Sequence, residues 1–431
     1  MSLPRLLAGL GVPGATTLAS HEAVHGDLPL DRARRSGRLP AAGSLVDEIR
    51  LSGLRGRGGA GFPLATKLTS VAAGRGRPIV VVNGCEGEPA SEKDRVLLER
   101  VPHLVIDGAT ACARALDAER IFYAIDADNA AARWALESAI AERPDAGRRG
   151  SSSSASGVVG IPAGYVSGQE TAVVNFINGG RPLPSTTPPM VFERGVSRRP
   201  TLVTNAETVA QVGLIARYGA EWFREIGTDQ EPGSALVSVS GGVLDPGVLE
   251  VELGASVDSL LAGAGGTAGR PRAFLFGGYG GGWVDGSQAS GLAISERSLR
   301  QAGGMLGPGV VVVLPESACP VTETVLVAGW LERESAGQCG PCVHGLAAIA
   351  GALRSIADGR AEPDAMGHLA RWSRLVTGRG ACGHPDGAAR FVTSALRVFA
   401  AEFADHAAFG RCPACARIPV LPLPSRLAVA A

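Results

Sequence analysis

The spacing of hydrophobic positions changes character three times along this chain. Ile79-Val80-Val81-Val82 is an unbroken β-branched run ending at Asn83, the pattern of a strand buried on both faces. Arg120 to Ile125 predicts a second strand, and a helix is expected from about Asn129 to Glu142. Strands alternating with helices predict an α/β layer around a parallel sheet. The stretch 148–157, with four consecutive serines, reads as a flexible loop. Beyond Glu231-Pro232-Gly233 the pattern shortens. Strands are expected at Ala235–Val239, Gly242–Leu244 and Val248–Val251, with a turn at Pro246-Gly247 and a helix over Ser256–Ala264. From Cys319 the period becomes helical, with amphipathic stretches near Val321–Glu334, His344–Asp358, Met366–Thr377 and Gly387–Phe403. The expected order is an α/β domain over residues 1–230 and an α+β module over 231–315. An all-α bundle over 316–410 and a tail over 411–431 follow.

Composition narrows the function. Acidic and basic residues balance at 41 each, so nothing favours nucleic acid or an anionic membrane surface as partner. The longest apolar runs, such as Gly309 to Pro315, are far shorter than a bilayer span, so no membrane insertion is expected. Leu6 to Leu18 is apolar but broken by Gly9, Gly11, Pro13 and Gly14, and reads as a folded lead-in. Five of the eight cysteines crowd beyond residue 330, which argues metal or cluster chemistry in a reducing, cytoplasmic compartment. Sixty glycines imply many tight turns and close backbone approaches to ligands.

Only two lysines occur, Lys67 and Lys93, and each follows a dense polar motif. Arginine fills every other basic position. A retained lysine suits a site that needs a compact point charge, such as a phosphate contact. Lys67 follows Arg55-Gly56-Arg57-Gly58-Gly59-Ala60-Gly61-Phe62-Pro63, a candidate phosphate-cradling loop. Lys93 follows Asn83-Gly84-Cys85-Glu86-Gly87-Glu88-Pro89.

These two motifs are followed in order by Tyr165-Val166-Ser167-Gly168-Gln169-Glu170-Thr171 and by Arg199-Pro200-Thr201-Leu202-Val203-Thr204-Asn205-Ala206-Glu207-Thr208. The set closely resembles the NADH-binding flavoprotein subunit of respiratory complex I and its diaphorase relatives in hydrogenases and formate dehydrogenases. The resemblance is collinear from about Leu45 to Phe403. It implies a Rossmann-like FMN domain, a ubiquitin-like β-grasp (SLBB) module and a helical bundle carrying a [4Fe–4S] cluster. It implies that Gly56, Arg57, Gly58, Gly59 and Ala60, with Lys67, hold the flavin phosphate. Asn83, Glu86, Tyr165, Gly168, Glu170 and Asn205 would contact the isoalloxazine and ribityl parts. Glu88 and Phe62 would serve the nicotinamide nucleotide. The alternative reading of Asn205 and Glu207, less favoured given the collinear motifs, is a capped helix start.

The departures from the family pattern matter as much. Cys85 stands where the family has an acid, and Gln169 replaces one of two glutamates. The dinucleotide clamp Lys-Pro-Pro-Phe appears as Thr187-Pro188-Pro189-Met190, and a second phenylalanine is Ser70. An aromatic stacking contact contributes about 1 kcal/mol beyond burial. Loss of two rings and a lysine therefore weakens NADH binding roughly 10- to 1000-fold. The cluster run reads Ser335-Ala336-Gly337-Gln338-Cys339-Gly340-Pro341-Cys342, with Cys382 as the distant ligand, so alanine replaces the first cysteine. Three metal ligands remain: Cys339, Cys342 and Cys382. Cys412, Cys415, His344 and His384 are candidates to complete a four-ligand site. A three-cysteine [3Fe–4S] cluster and a site without a cluster are the alternatives. Cys412-x-x-Cys415 also reads as a zinc half-site or a disulfide pair, Cys319 matches a family cysteine that is not a ligand, and Cys112 reads as core.

The expected function is an FMN- and iron–sulfur-dependent oxidoreductase subunit that passes electrons from NADH to a cluster without a catalytic acid or base. Other redox subunits or a ferredoxin are the expected partners. A flavoprotein with another donor, and a scaffold that keeps the fold without nicotinamide turnover, are the competing readings.

Overall fold

The computed structural model describes residues 3–11, 14–26, 28, 42–143 and 155–424, which form two compact units. The first unit runs to residue 87 and adds 92–236 and 250–254; the second holds 88–91, 237–249 and the residues from 255 onward.

Four parallel strands organise the first unit: β1 (Ile79–Gly84), β2 (Arg120–Asp126), β3 (Ala155–Ile161) and β4 (Thr201–Asn205), in the order β3-β2-β1-β4. Val80, Val81 and Val82 of central β1 are buried, which is why the run has no polar alternation. Helices Lys93–Arg100, Pro102–Ala115, Ala130–Ala141, Glu170–Ile177 and Ala206–Arg224 pack on the sheet or on one another. Pro102 occupies a first-turn position that lacks an intrahelical donor role, and Asn129 caps its helix by accepting from Ala132 N–H at 3.0 Å. The chain winds outward from β1 through β2 to β3, then returns to lay β4 on the other side of β1. Such a reversal leaves a crevice at the carboxyl ends of β1 and β4.

Residues 148–154 of the expected serine-rich loop lie outside the described residues. The last three, 155–157, open β3 instead of closing a loop. Leu6 is buried, and the N–H groups of Arg5, Leu6 and Leu7 all donate to Glu250, as expected of a folded lead-in. The helix Leu18–His25 is fixed by a buried carboxylate. Asp107 meets His21 Nε2 at 2.6 Å, Arg217 at 2.5 Å and Arg143 at 2.6 Å. Burial alone would raise the Asp107 pKa, but the His21 hydrogen bond and the two guanidinium groups hold it well below the usual carboxylate range.

The second unit combines a five-stranded sheet with helices. Strands β5 (Ser234–Gly241), β6 (Gly247–Glu252), β7 (Pro271–Phe276), β8 (Gly282–Asp285) and β9 (Val310–Pro315) lie in the order β6-β5-β9-β7-β8. β5 and β9 are parallel, while β7 runs antiparallel to both β9 and β8. The expected strand at Gly242–Leu244 is absent. Gly241, at φ +83°, turns the chain out of β5, and only a single bridge from Val243 to Thr267 remains. Helices Pro320–Arg333, Ala347–Ala357, Ala365–Val376, His384–Val398 and Ala400–Phe409 follow, with a π-helical turn at Pro341–Leu346. The stretch Gly387–Phe403, expected as one helix, breaks at Phe399 (φ −111°, ψ 31°), whose ring packs 5.2 Å from Trp283. Trp283 also meets Phe391, and Tyr279 meets Trp330 and Phe391, so sheet and helices share an aromatic core. No helix among the described residues is long and apolar enough to cross a membrane.

Two glycines set the closest helix crossing in the first unit. A Cβ at Gly108 would lie 1.7 Å from the Val209 carbonyl oxygen, and one at Gly213 would lie 3.0 Å from the Leu104 carbonyl oxygen. Gly108→Ala is expected to destabilise the protein by about 3 kcal/mol, because both obstructing atoms are backbone. Gly351→Ala has open space around its Cβ and should be neutral or stabilising by up to about 1 kcal/mol. Denaturant midpoints of the two variants check the contrast.

Candidate functional site

The strand register places Asn83 directly beside Asn205 at the ends of β1 and β4, where the strand order reverses. Asn83 Nδ2 donates to the Gly168 carbonyl at 2.7 Å, and its Oδ1 accepts from Cys85 N–H. Asn205 caps the helix Ala206–Arg224, accepting from Thr208 N–H at 3.3 Å. The helix-cap reading of Asn205 is therefore realised, in a residue that also stands in the crevice. The glycine-rich loop folds over the same place. Arg57 N–H donates to Thr208 Oγ1 at 2.8 Å, and a Cβ on Gly58 would press on the Asn205 side chain at 3.3 Å. Arg55 bridges to Pro63 and Gly56 N–H donates to the Phe62 carbonyl, closing Gly56 to Ala60 into a loop. Gly59, at φ +109°, has open space where a side chain would be. That is the geometry of a backbone cradle.

The two lysines do different work. Lys93 is 1% exposed and lies 2.8 Å from Asp94 and 2.9 Å from Glu207. Burial would lower its pKa, but the two carboxylates outweigh that and raise it. Sequence reasoning suggested a phosphate contact for it, and the structure makes it a structural counter-ion. Arg57 is also turned inward: its guanidinium is buried and donates to the Ser234 carbonyl at 3.1 Å. Lys67, on the helix Leu64–Ala72, is part-exposed and pairs with Glu170 at 2.6 Å. It is the lysine with reach toward a ligand.

Glu86 caps the helix Lys93–Arg100, accepting from Asp94 and Arg95 N–H at 3.2 and 3.0 Å. Gly87 can carry no side chain, since its Cβ would lie 2.9 Å from the carbonyls of Gly164 and Tyr165. Gly168 is similarly pressed against Cys85 at 3.2 Å. These contacts bring the Cys85 loop, Tyr165 and Gly168 together beside Asn83. Phe62 is 52% exposed and free to stack on a ring. Glu88 lies in the second unit, where its Oε2 accepts from Tyr279 N–H at 2.8 Å. Missed by sequence reasoning is Asp94, which accepts from Asn205 Nδ2 at 3.2 Å and from Glu207 N–H at 2.9 Å. Its only sequence signal was its place beside a lysine.

In the helical part of the second unit, Cys342 rides on the π-helical turn, with Cys339 just before it and Cys382 just before the helix His384–Val398. Cys339 hydrogen-bonds Cys342, and Cys382 is close enough to both for their charges to interact. The Cys342 sulfur also receives the Ala336 N–H, so the alanine of the motif sits beside the thiols. Burial pushes the Cys342 thiol up to about 12. The candidates for a fourth ligand are otherwise engaged. His384 Nε2 binds the Leu331 carbonyl at 2.8 Å, and His344 is exposed. Cys412 and Cys415 gather with Cys319 and His406. Cys319, expected to be a bystander, is thus part of a second group, and His406 was missed although it lies six residues before Cys412.

Residues 49–214 match the Nuo51 FMN-binding domain, and residues 325–406 match the NADH-ubiquinone oxidoreductase-F iron–sulfur binding region. The second F subunit of NADH-quinone oxidoreductase in Rhizobium meliloti is 35% identical over 420 residues, covering 95% of this chain and 99% of the relative. The chain belongs to the family of NADH-quinone oxidoreductase F subunits. The Escherichia coli member is 31% identical over 371 residues, covering 83% of each chain. The fold is similar to a chain of the air-oxidised NAD+-reducing [NiFe]-hydrogenase (TM-score 0.82, 27% identity), covering 99% of this chain and 70% of that one. In the H2-reduced state of that hydrogenase the likeness has a TM-score of 0.78 at 28% identity, covering 86% of this chain and 63% of that chain.

Flavin fits the first-unit crevice, with its glycine cradle, one accessible lysine and amides on adjacent strands. A four-cysteine cubane does not fit the group Cys339, Cys342 and Cys382, which supplies three sulfurs beside an alanine. Lys93→Met strands two buried carboxylates and should cost about 3–5 kcal/mol in denaturant unfolding. Lys67→Met removes a partly solvated pair, costs less than about 1 kcal/mol, and should lower the flavin content of the desalted protein.

Proposed function

We propose that this chain is the FMN- and iron–sulfur-carrying subunit of an NADH-oxidising electron-transfer assembly. The observation that carries this reading is the convergence of the glycine loop, Asn83 and Asn205 at the strand-order reversal. When bound there, FMN supplies the conversion between two-electron hydride transfer and single-electron release. The protein's residues supply position. Gly56, Gly58, Gly59 and Ala60 let the backbone approach a phosphate, and Lys67 brings the charge. Arg57 contributes by holding the loop from beneath. Asn83, Glu86, Tyr165, Gly168, Glu170 and Asn205 line the ring and ribityl side. Phe62 and Glu88 serve the nicotinamide nucleotide. Cys339, Cys342 and Cys382 would hold an iron–sulfur cluster, which would supply single-electron acceptance. The mixed sheet of the second unit is assigned as the SLBB-type β-grasp module. Other redox subunits or a ferredoxin in the cytoplasm are the partners this chemistry requires.

Thr187, Met190 and Ser70 favour a second reading, in which the donor is a ferredoxin. An anaerobic absorption spectrum decides between them. NADH is expected to bleach the flavin, with a Michaelis constant that falls roughly tenfold or more in Thr187→Lys/Met190→Phe/Ser70→Phe. Flavin reduced by dithionite or ferredoxin but untouched by NADH, in both proteins, would establish the alternative donor.

With three thiolates, the oxidised protein is expected to show the low-field electron paramagnetic resonance signal of a [3Fe–4S] cluster. Ala336→Cys should replace it with a [4Fe–4S] cluster that is paramagnetic only when reduced. An unchanged spectrum in Ala336→Cys would show that position 336 faces no open corner.

A further inference from the structure

A second group of soft ligands lies apart from the three thiols just described. Cys319 Sγ is 3.5 Å from His406 Nε2 and 3.6 Å from Cys415 Sγ. Cys415 Sγ is 3.6 Å from Cys412 Sγ and 3.9 Å from His406 Nε2. All four ligand atoms lie within 4.8 Å of one another. These spacings discriminate between occupants. A disulfide requires sulfurs about 2.05 Å apart, so the Cys412-x-x-Cys415 pair is not one. The thiolates of a cubane sit on separate irons and spread well beyond mutual contact. A tetrahedral ion with metal–sulfur bonds of about 2.3 Å and a metal–nitrogen bond of about 2.0 Å has edges of about 3.8 Å between sulfurs and about 3.5 Å from sulfur to nitrogen. The observed separations match those edges.

The surroundings orient the ligands. His406 Nδ1 faces the Ala357 carbonyl at 3.4 Å, which fixes the proton on Nδ1 and leaves the Nε2 lone pair toward the sulfurs. Cys319 begins the helix Pro320–Arg333 and accepts the Thr322 N–H at 3.4 Å, a donor that tempers thiolate charge. Cys319 and His406 are buried. The iron–sulfur match, residues 325–406, contains Cys339, Cys342 and Cys382 but ends before Cys412 and begins after Cys319.

We propose that Cys319, His406, Cys412 and Cys415 bind a structural Zn2+ ion, closed to solvent ligands. Each ligating thiol releases its proton to solvent on binding, and no electron is exchanged. The ion joins the start of the first helix of the bundle to its last helix and the adjoining tail, at least 87 residues further along the chain. The tail is held further along its course, where Val420 and Leu421 N–H donate to Glu323 at 2.7 and 3.1 Å.

The test is metal analysis of the full-length protein purified anaerobically, in three forms. The unaltered protein should carry one zinc per chain besides its iron. Cys412→Ser/Cys415→Ser should lose at least tenfold in zinc while its iron is unchanged. Cys339→Ser/Cys342→Ser/Cys382→Ser should lose iron and keep zinc. Iron that falls in the Cys412→Ser/Cys415→Ser variant, iron in place of zinc at this site, or zinc lost from the triple variant would each overturn the proposal. Should the double variant fail to fold, the unaltered protein grown on cobalt decides. Intense ligand-field bands of tetrahedral Co2+ with thiolate charge transfer support the site, and their absence overturns it.

Discussion

The carboxylate of Asp94 is the point on which the first unit's crevice depends. It faces the ammonium of Lys93, the side-chain amide of Asn205 and the N–H of Glu207 at once. Lys93 in turn meets Glu207, and Glu207 accepts from Leu236 N–H. Buried charges are tolerated only when paired and hydrogen-bonded, so each group specifies where the others must be. The acidic motif after β1, the helix it starts and the helix after β4 are thereby locked into one arrangement. The glycine loop then closes over that arrangement through Thr208 and Asn205. The cradle is open because the charge is satisfied underneath it.

The second unit shows a different economy of soft ligands. Six of its cysteines fall into two groups of three, one near Ala336 and one completed by His406. The first group, Cys339, Cys342 and Cys382, lies within the residues that match the iron–sulfur binding region. The other closes on itself at distances suited to a single small ion. Separating them leaves three thiols beside Ala336, because Cys412 and Cys415 gather with Cys319 and His406.

Much of this was legible in the sequence because it rested on local pattern. The valine run of β1, the strand of β2 and the Asn129 helix follow from periodicity and capping, and the motif order carried the family. What sequence concealed was tertiary. Lys67 and Lys93 look alike as lone lysines after glycine-rich and acidic motifs, and burial marks Lys93 as a counter-ion. Gly241 ended the strand despite the β-branched Val243 two residues on, since a left-handed glycine outweighs that propensity. The break at Phe399 came from a ring drawn into the Trp283 cluster, against a helical pattern that continued on both sides. Cys319 and His406 are 87 residues apart, and no spacing rule joins them.

The pairing of Asn83 with Asn205 has a consequence for how the sheet assembles. Both strands are buried along nearly their whole length, and hydrophobic burial alone would discriminate weakly between alternative alignments of β1 and β4. A slip by one residue would move Asn205 and Glu207 away from Asp94 and Lys93 and break up the buried charge network. Misaligned sheets are therefore marked by unpaired charge long before any ligand arrives. The polar residues that prepare the crevice also proofread the fold, so a chain that has closed its core correctly has, by the same act, built its site.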